Sequence, residues 1–159
     1  MTFDPNQFLS QTVTSKGDTQ ILKVPANEYV AFIDDEKPVT DWFASFAGKK
    51  DPSKTFVRIN IPCRIENDGL KTQLGRNKVL VFHEFLVDID ENGNLDFGPQ
   101  KNVKLNQMRD AVGQNVEGQP WNIGMRPGAG PFNVKIIHEP NEKDLENPFV
   151  RVGRVSAIK

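Results

Sequence analysis

Apolar and polar positions alternate most cleanly from Thr55 to Ile65. Val57, Ile59, Ile61, Cys63 and Ile65 share one face, and Arg58, Asn60, Pro62 and Arg64 share the other. A period of two marks a half-buried strand, and it makes Cys63 a small core hydrophobe rather than a reactive thiol. Residues 79–89 are apolar on both faces, with Val79, Val81, Phe85, Val87 and Ile89 against Leu80, Phe82 and Leu86. Such a run predicts a central strand, interrupted by His83 and Glu84 on opposite faces. Further strands are predicted over 23–33, where Pro25 places the start near an edge, over 130–138, and over 149–158, where Gly153 marks a bulge.

The period changes to 3.6 in one place. Leu105, Met108 and Val112, with Ala111 beside them, predict a helix over 103–112, with Asn102 as N-cap and Gly113 as its stop. Residues 34–54 form a long connection in which Thr40 caps a short helical turn, 41–47, ended by Gly48. Trp42, Phe43 and Phe46 on that turn would either plug a barrel mouth or form a contact surface. Asn67, Asp68 and Gly69 read as a polar turn leading into a loop through Gly75 and Arg76. A Gly- and Pro-rich loop after the helix has Trp121 and Met125 as its anchors. The element order predicts a mainly β fold: a small OB-like antiparallel barrel of five to six strands, with one short helix joining strands three and four.

The first 22 residues show no sustained period, with Phe3, Phe8, Leu9 and Val13 as isolated apolar points. A segment this polar makes no core of its own. It is read as an extended amino-terminal arm, residues 1–22, pinned on the body or on a neighbouring chain, ahead of a single domain over 23–159.

Composition narrows the chemistry. At 159 residues the chain can bury a core without disulfides or metal. Its 20 Lys and Arg nearly balance 21 Asp and Glu, and Lys49 with Lys50 is the densest basic pair. That balance argues against a protein whose main business is wrapping a polyanion. One cysteine excludes an internal disulfide framework and fits a reducing cytoplasm. No charged start followed by an apolar core, and no run near the ~20 apolar residues of a membrane span, predicts a leader or an anchor, so the product is expected to be soluble.

Asp88, Asp90, Asn92, Gly93 and Asp96 fall at positions 1, 3, 5, 6 and 9 of an EF-hand loop, with Leu95 at the apolar eighth. Position 12, which should be a bidentate glutamate, is Pro99, and the incoming element is a strand. Glu91-Asn92-Gly93-Asn94 between apolar runs is also a hairpin signal. The segment is therefore read as a structural turn that keeps Asp88, Asp90, Asn92 and Asp96 as a weak calcium candidate, with no metal or other cofactor expected. Catalysis has little support: there is no G-x-S-x-G elbow, His83 and His138 sit within strands, and one cysteine with two separated histidines lacks a zinc spacing. The run of Gly124, Gly128 and Gly130 lacks the Lys and Ser/Thr of a phosphate loop. No enzyme is expected.

Single-strand binding combines a basic groove with aromatic platforms. The candidates are Trp42, Phe43, Phe82, Trp121 and Phe132, with Arg58, Arg64, Arg76, Arg126 and Lys135. Several stretches together, FDPNQFL, VPANEYVAFI, ENGNLDFG, KNVKLNQMRDAVGQN and GAGPFNVKIIH, resemble small proteins of tailed bacteriophages. Similar phage barrels serve as capsid decoration (cement) proteins or as single-stranded DNA-binding proteins. The resemblance implies first a cement protein on the capsid surface of the virion, assembled in the host cytoplasm, whose partners are the major capsid protein and neighbouring copies. Phe3, Phe8, Leu9, Trp42, Phe43 and Trp121 would be its contacts. Under the alternative it is a replication or recombination protein, and only then is nucleic acid a partner.

Overall fold

The computed structural model describes residues 2–12, 14–118 and 128–158. Ten elements follow in order: α1 (Pro5–Leu9), β1 (Glu28–Ile33), a 3-10 turn (Val39–Trp42), β2 (Phe43–Ala47), β3 (Thr55–Ile65), α2 (Asp68–Leu74), β4 (Val79–Val87), α3 (Val103–Ala111), β5 (Phe132–Glu139) and β6 (Phe149–Ala157). The fold is mainly β, with six antiparallel strands in one sheet. The sheet is not closed, so the expected barrel is an open one at most.

β3 has the bounds that its alternation predicts and organises the sheet. One edge pairs with β4 from Val57↔Val87 to Ile65↔Val79. The other edge is shared, with β2 from Phe43↔Ile59 to Ala47↔Thr55 and β1 from Ile33↔Cys63 to Ala31↔Ile65. β1 in turn passes from β3 to β5, which it pairs from Ala31↔Phe132 to Glu28↔Lys135. β5 and β6 complete the order, and the extra residue that shifts their register is Gly153, since Lys135 faces Arg154 while Ile136 faces Val152. That is the expected bulge. Ile137 lies against Gly153, 3.0 Å from where a Cβ would sit.

Three local expectations are corrected. Residues 41–47 are not a helical turn: Trp42 ends the 3-10 turn and Phe43–Ala47 is strand. β3 offers a free row of backbone donors and acceptors there, and pairing with it outweighs local helix propensity. The polar stretch at Asn67 is a helix start. Asn67 Oδ1 accepts from the Leu70 amide at 2.9 Å, Leu70 and Leu74 are buried one turn apart, and Gly75 ends α2 at φ 64°. Two apolar residues in seven gave the period too little to work on. Finally, β4 is paired along one edge only. Its burial alternates, with Phe82 and Leu86 exposed between buried Val81, His83, Phe85 and Val87. It is an edge strand with an apolar outer face, not a central one.

The core lies on the inner face, where Ile59, Ile61, Cys63 and Ile65 meet Val79, Val81, Phe132, Val134 and Ile136. α3 packs beside β6 and buries Leu105, Met108 and Ala111. Fully burying a side chain such as Leu105 or Met108 contributes about 1.5–3 kcal/mol. Among the described residues no helix is long and apolar enough to cross a membrane.

Candidate functional site

β4 and β6 approach each other but share no ladder. The slot where a barrel would close opens into a groove of about 730 Å³. Phe82 on one wall is 52% exposed and Phe149 on the other is 43% exposed. The Arg151 guanidinium lies 4.7 Å from the Phe149 ring centroid and 3.5 Å from Glu139. Arg76 and Lys23 also line the groove, and neither meets a carboxylate among the described residues. Asn60 reaches it from β3 with its Oδ1 buried and without a hydrogen-bond partner. Glu84, the acid on the β4 wall, is engaged by Arg58 at 3.6 Å.

The end of the arm edges this groove. Ile21 N–H donates to Asn147 Oδ1 at 2.7 Å, Asn147 Nδ2 donates to the Thr19 carbonyl at 3.1 Å, and the Thr19 hydroxyl donates to Glu146 at 2.8 Å. Arg76 donates to the Leu22 carbonyl at 3.4 Å. Val24 is the first buried residue among those described, and His138 Nε2, 2.7 Å from its carbonyl, must carry the proton there because a carbonyl only accepts. Residues 19–24 are thus pinned on the chain's own body, largely through polar groups. Farther out, Asp4 caps α1 and Phe3 meets Phe8 at 5.7 Å, while Phe3, Phe8 and Leu9 all remain exposed.

The other sequence candidates separate. Trp42, at 4% exposure, belongs to the core and presents no surface to a partner, and Phe132 is fully buried, so neither can be a stacking platform. Phe43 is half-buried against the core. Trp121 and Arg126 lie outside the described residues, as does Met125. Arg64 is held by Asp34, Asp35 and Glu66, and the Glu66 hydrogen bond pushes the guanidinium pKa up. Of the proposed platforms among the described residues only Phe82 reaches the groove, with Arg76 as its cation. Phe149, Arg151 and Lys23 were not legible, because nothing local distinguishes them from ordinary strand and loop residues.

In the acidic turn the carboxylates are already occupied. Asp90 Oδ1 accepts from the amides of Asn92 and Asn94 at 2.9 and 3.0 Å, and Asp96 Oδ1 accepts from Gly98 at 2.9 Å. Asp88 Oδ2 accepts from the Asn102 amide at 2.7 Å. Asn102 stands at the start of α3 as expected, but at φ 52°, and its side chain makes no helix cap. It accepts from the Asp88 amide and donates to the carbonyls of Asp88 and Asp96, all within 2.9 Å. The return of the hairpin shrinks to one bridge, Ile89↔Leu95. Among the described residues no group of three or more acidic, His or Cys side chains is placed to hold a metal.

Two interior groups are chemically quiet. Burial pushes the Cys63 thiol up to about 12. His83 faces inward beside Phe85, and burial, followed by the charge of Lys104, pushes it down to about 4. No protein-family model, curated protein or solved structure matches the chain.

Proposed function

We propose that the chain is a single-strand nucleic-acid binder whose site is the groove between β4 and β6, serving replication or recombination in the phage setting that its sequence resembles. The observation that carries this is the pairing, in one open slot, of two exposed rings, Phe82 and Phe149, with Lys23, Arg76 and Arg151. Rings stack on bases of any sequence, cations follow the phosphates, and a groove open at its mouth admits an extended strand. Near-zero net charge is compatible with this: of the two acids lining the groove, Glu84 is taken up by Arg58 and Asp144 accepts from Asn147 Nδ2 at 2.7 Å, against three lining cations.

The test is fluorescence anisotropy with a labelled oligothymidine at low and moderate salt. Binding should weaken as salt rises. Phe82→Ala and Phe149→Ala should each weaken it about 5- to 150-fold, the range of one lost base–aromatic stack. No binding at low salt, or full binding by both variants, would overturn the proposal.

The second reading, a capsid cement protein, is favoured by the arm. Phe8 and Leu9 on α1, with Phe3 just before its cap, present apolar surface ahead of the pinned residues 19–24, and many copies would multiply a modest contact into firm attachment. It requires the protein to be detected in purified virions by mass spectrometry, and to detach when residues 1–20 are deleted.

A further inference from the structure

Outside the groove, one part of the surface again combines rings with unpaired cations. The β2–β3 hairpin carries Phe46 and Phe56 opposite each other, stacked with centroids 5.9 Å apart, and both rings are exposed. Its turn, Lys49-Lys50-Asp51-Pro52-Ser53-Lys54, is exposed throughout. None of its three lysines meets a carboxylate among the described residues. The one acid, Asp51, turns its Oδ1 to the amide and hydroxyl of Ser53. The geometry is tight: Gly48 donates to the Lys54 carbonyl at 2.9 Å, and a Cβ at Gly48 would come within 2.8 Å of the Phe56 ring. The ring is therefore packed over Gly48, the residue that leads into the lysine turn.

We infer that this hairpin is a second contact for the same single strand, Lys49, Lys50 and Lys54 meeting phosphates and Phe56 with Phe46 offering a base platform. The inference rests on the groove reading. Charge selects the occupant: a strand carrying both phosphates and stackable bases matches lysines beside aromatic rings, whereas an apolar protein partner would leave the lysines unanswered. The two contacts share one surface. Phe56 lies on the same face of β3 as Pro62, which pairs with Phe82, and six steps along the strand separate them, about 20 Å. A short strand can fill the groove alone, and a longer one can reach the hairpin.

The experiment measures binding of the full chain to oligothymidines of about 5 and about 16 nucleotides, the range of site sizes for one such module. Lys49→Gln, Lys50→Gln and Lys54→Gln together should weaken the long oligonucleotide roughly tenfold and leave the short one unchanged. The slope of log K against log salt should fall by about 2 for the long one, as expected for three lost phosphate contacts. Phe56→Leu should weaken the long oligonucleotide severalfold with its salt slope unchanged, a result that separates stacking from charge. Equal weakening of both lengths, or no weakening, overturns the second contact while the groove stands. Failure of the unmodified protein to bind either length overturns the groove, and this inference with it.

Discussion

In the turn between β4 and α3, Asp88, Asp90 and Asp96 all accept hydrogen bonds from backbone amides of the same segment. In the turn between β2 and β3, Lys49, Lys50 and Lys54 face solvent, and only the local acid is engaged. The difference follows from what a turn offers. Tight turns leave backbone N–H groups pointing inward, and a short carboxylate reaches them, whereas a long ammonium side chain has no comparable local acceptor and extends away. Acidic residues in a turn are thus often consumed by the fold, and lysines there are available for a partner.

Asn102 gives the largest test of the consumed side. It is 4% exposed and its side chain joins the Asp88 amide to two carbonyls, so Asn102→Ala takes that partner from the half-buried Asp88 amide and Asp96 carbonyl, leaves the Asp88 carbonyl with the Asp96 amide alone, and puts alanine at φ 52°. The expected loss is roughly 2–4 kcal/mol by urea denaturation. Asn102→Gly, free of the backbone strain, should recover about 1 kcal/mol of it. A variant as stable as the parent would mean that the acidic turn is not held from within.

A similar contrast separates His83, buried and without a partner at Nε2, from a surface histidine. Its folded pKa of about 4 lies below the ordinary value of 6.5, so the unfolded chain binds the proton more readily. Stability from keeping it neutral is complete above pH 6.5, falls as pH drops, and levels off near pH 4, with a full loss on the order of 3 kcal/mol. His83→Met should remove this part of the acid dependence while changing stability at pH 7 little, as followed by thermal melts across that range. An unchanged acid profile in the variant would place the titrating group elsewhere.

The fold was legible where a period ran long. Eleven residues of alternation set β3 to the residue, and Leu105, Met108 and Ala111 set α3. Gly153 marked its bulge as a lone glycine within a strand, and a Cβ there would sit 3.0 Å from Ile137. Short elements failed for want of signal: Phe43–Ala47 becomes strand only because β3 has an edge to offer, and α2 shows just Leu70 and Leu74. The apolar outer face of β4 suggested a central strand, yet β4 pairs along one edge only and Phe82 and Leu86 stay exposed. The groove was the least legible feature. It exists because β1 divides its pairing between β3 and β5 and the sheet stops short of closing, a long-range outcome that joins Lys23, Arg76, Phe82 and the β6 pair Phe149 and Arg151 from four parts of the chain.

The smallest expected effect is also the sharpest contrast, because it asks whether the acidic turn has anything left to give. A calcium site with a Kd of about 10⁻⁵ M would add roughly 2.7 kcal/mol at about 1 mM calcium, which is several degrees of Tm for a domain of this size. The turn should show less than about 1 °C. Binding would require Asp88, Asp90 and Asp96 to exchange their amide hydrogen bonds for the ion, and Pro99 stands where the bidentate ligand is needed. A shift of several degrees, absent with magnesium and abolished in Asp90→Asn, would reverse the comparison. The turn would then be a site whose carboxylates rest on the backbone until a cation arrives, and the lysine hairpin would no longer be the connection with chemistry to spare.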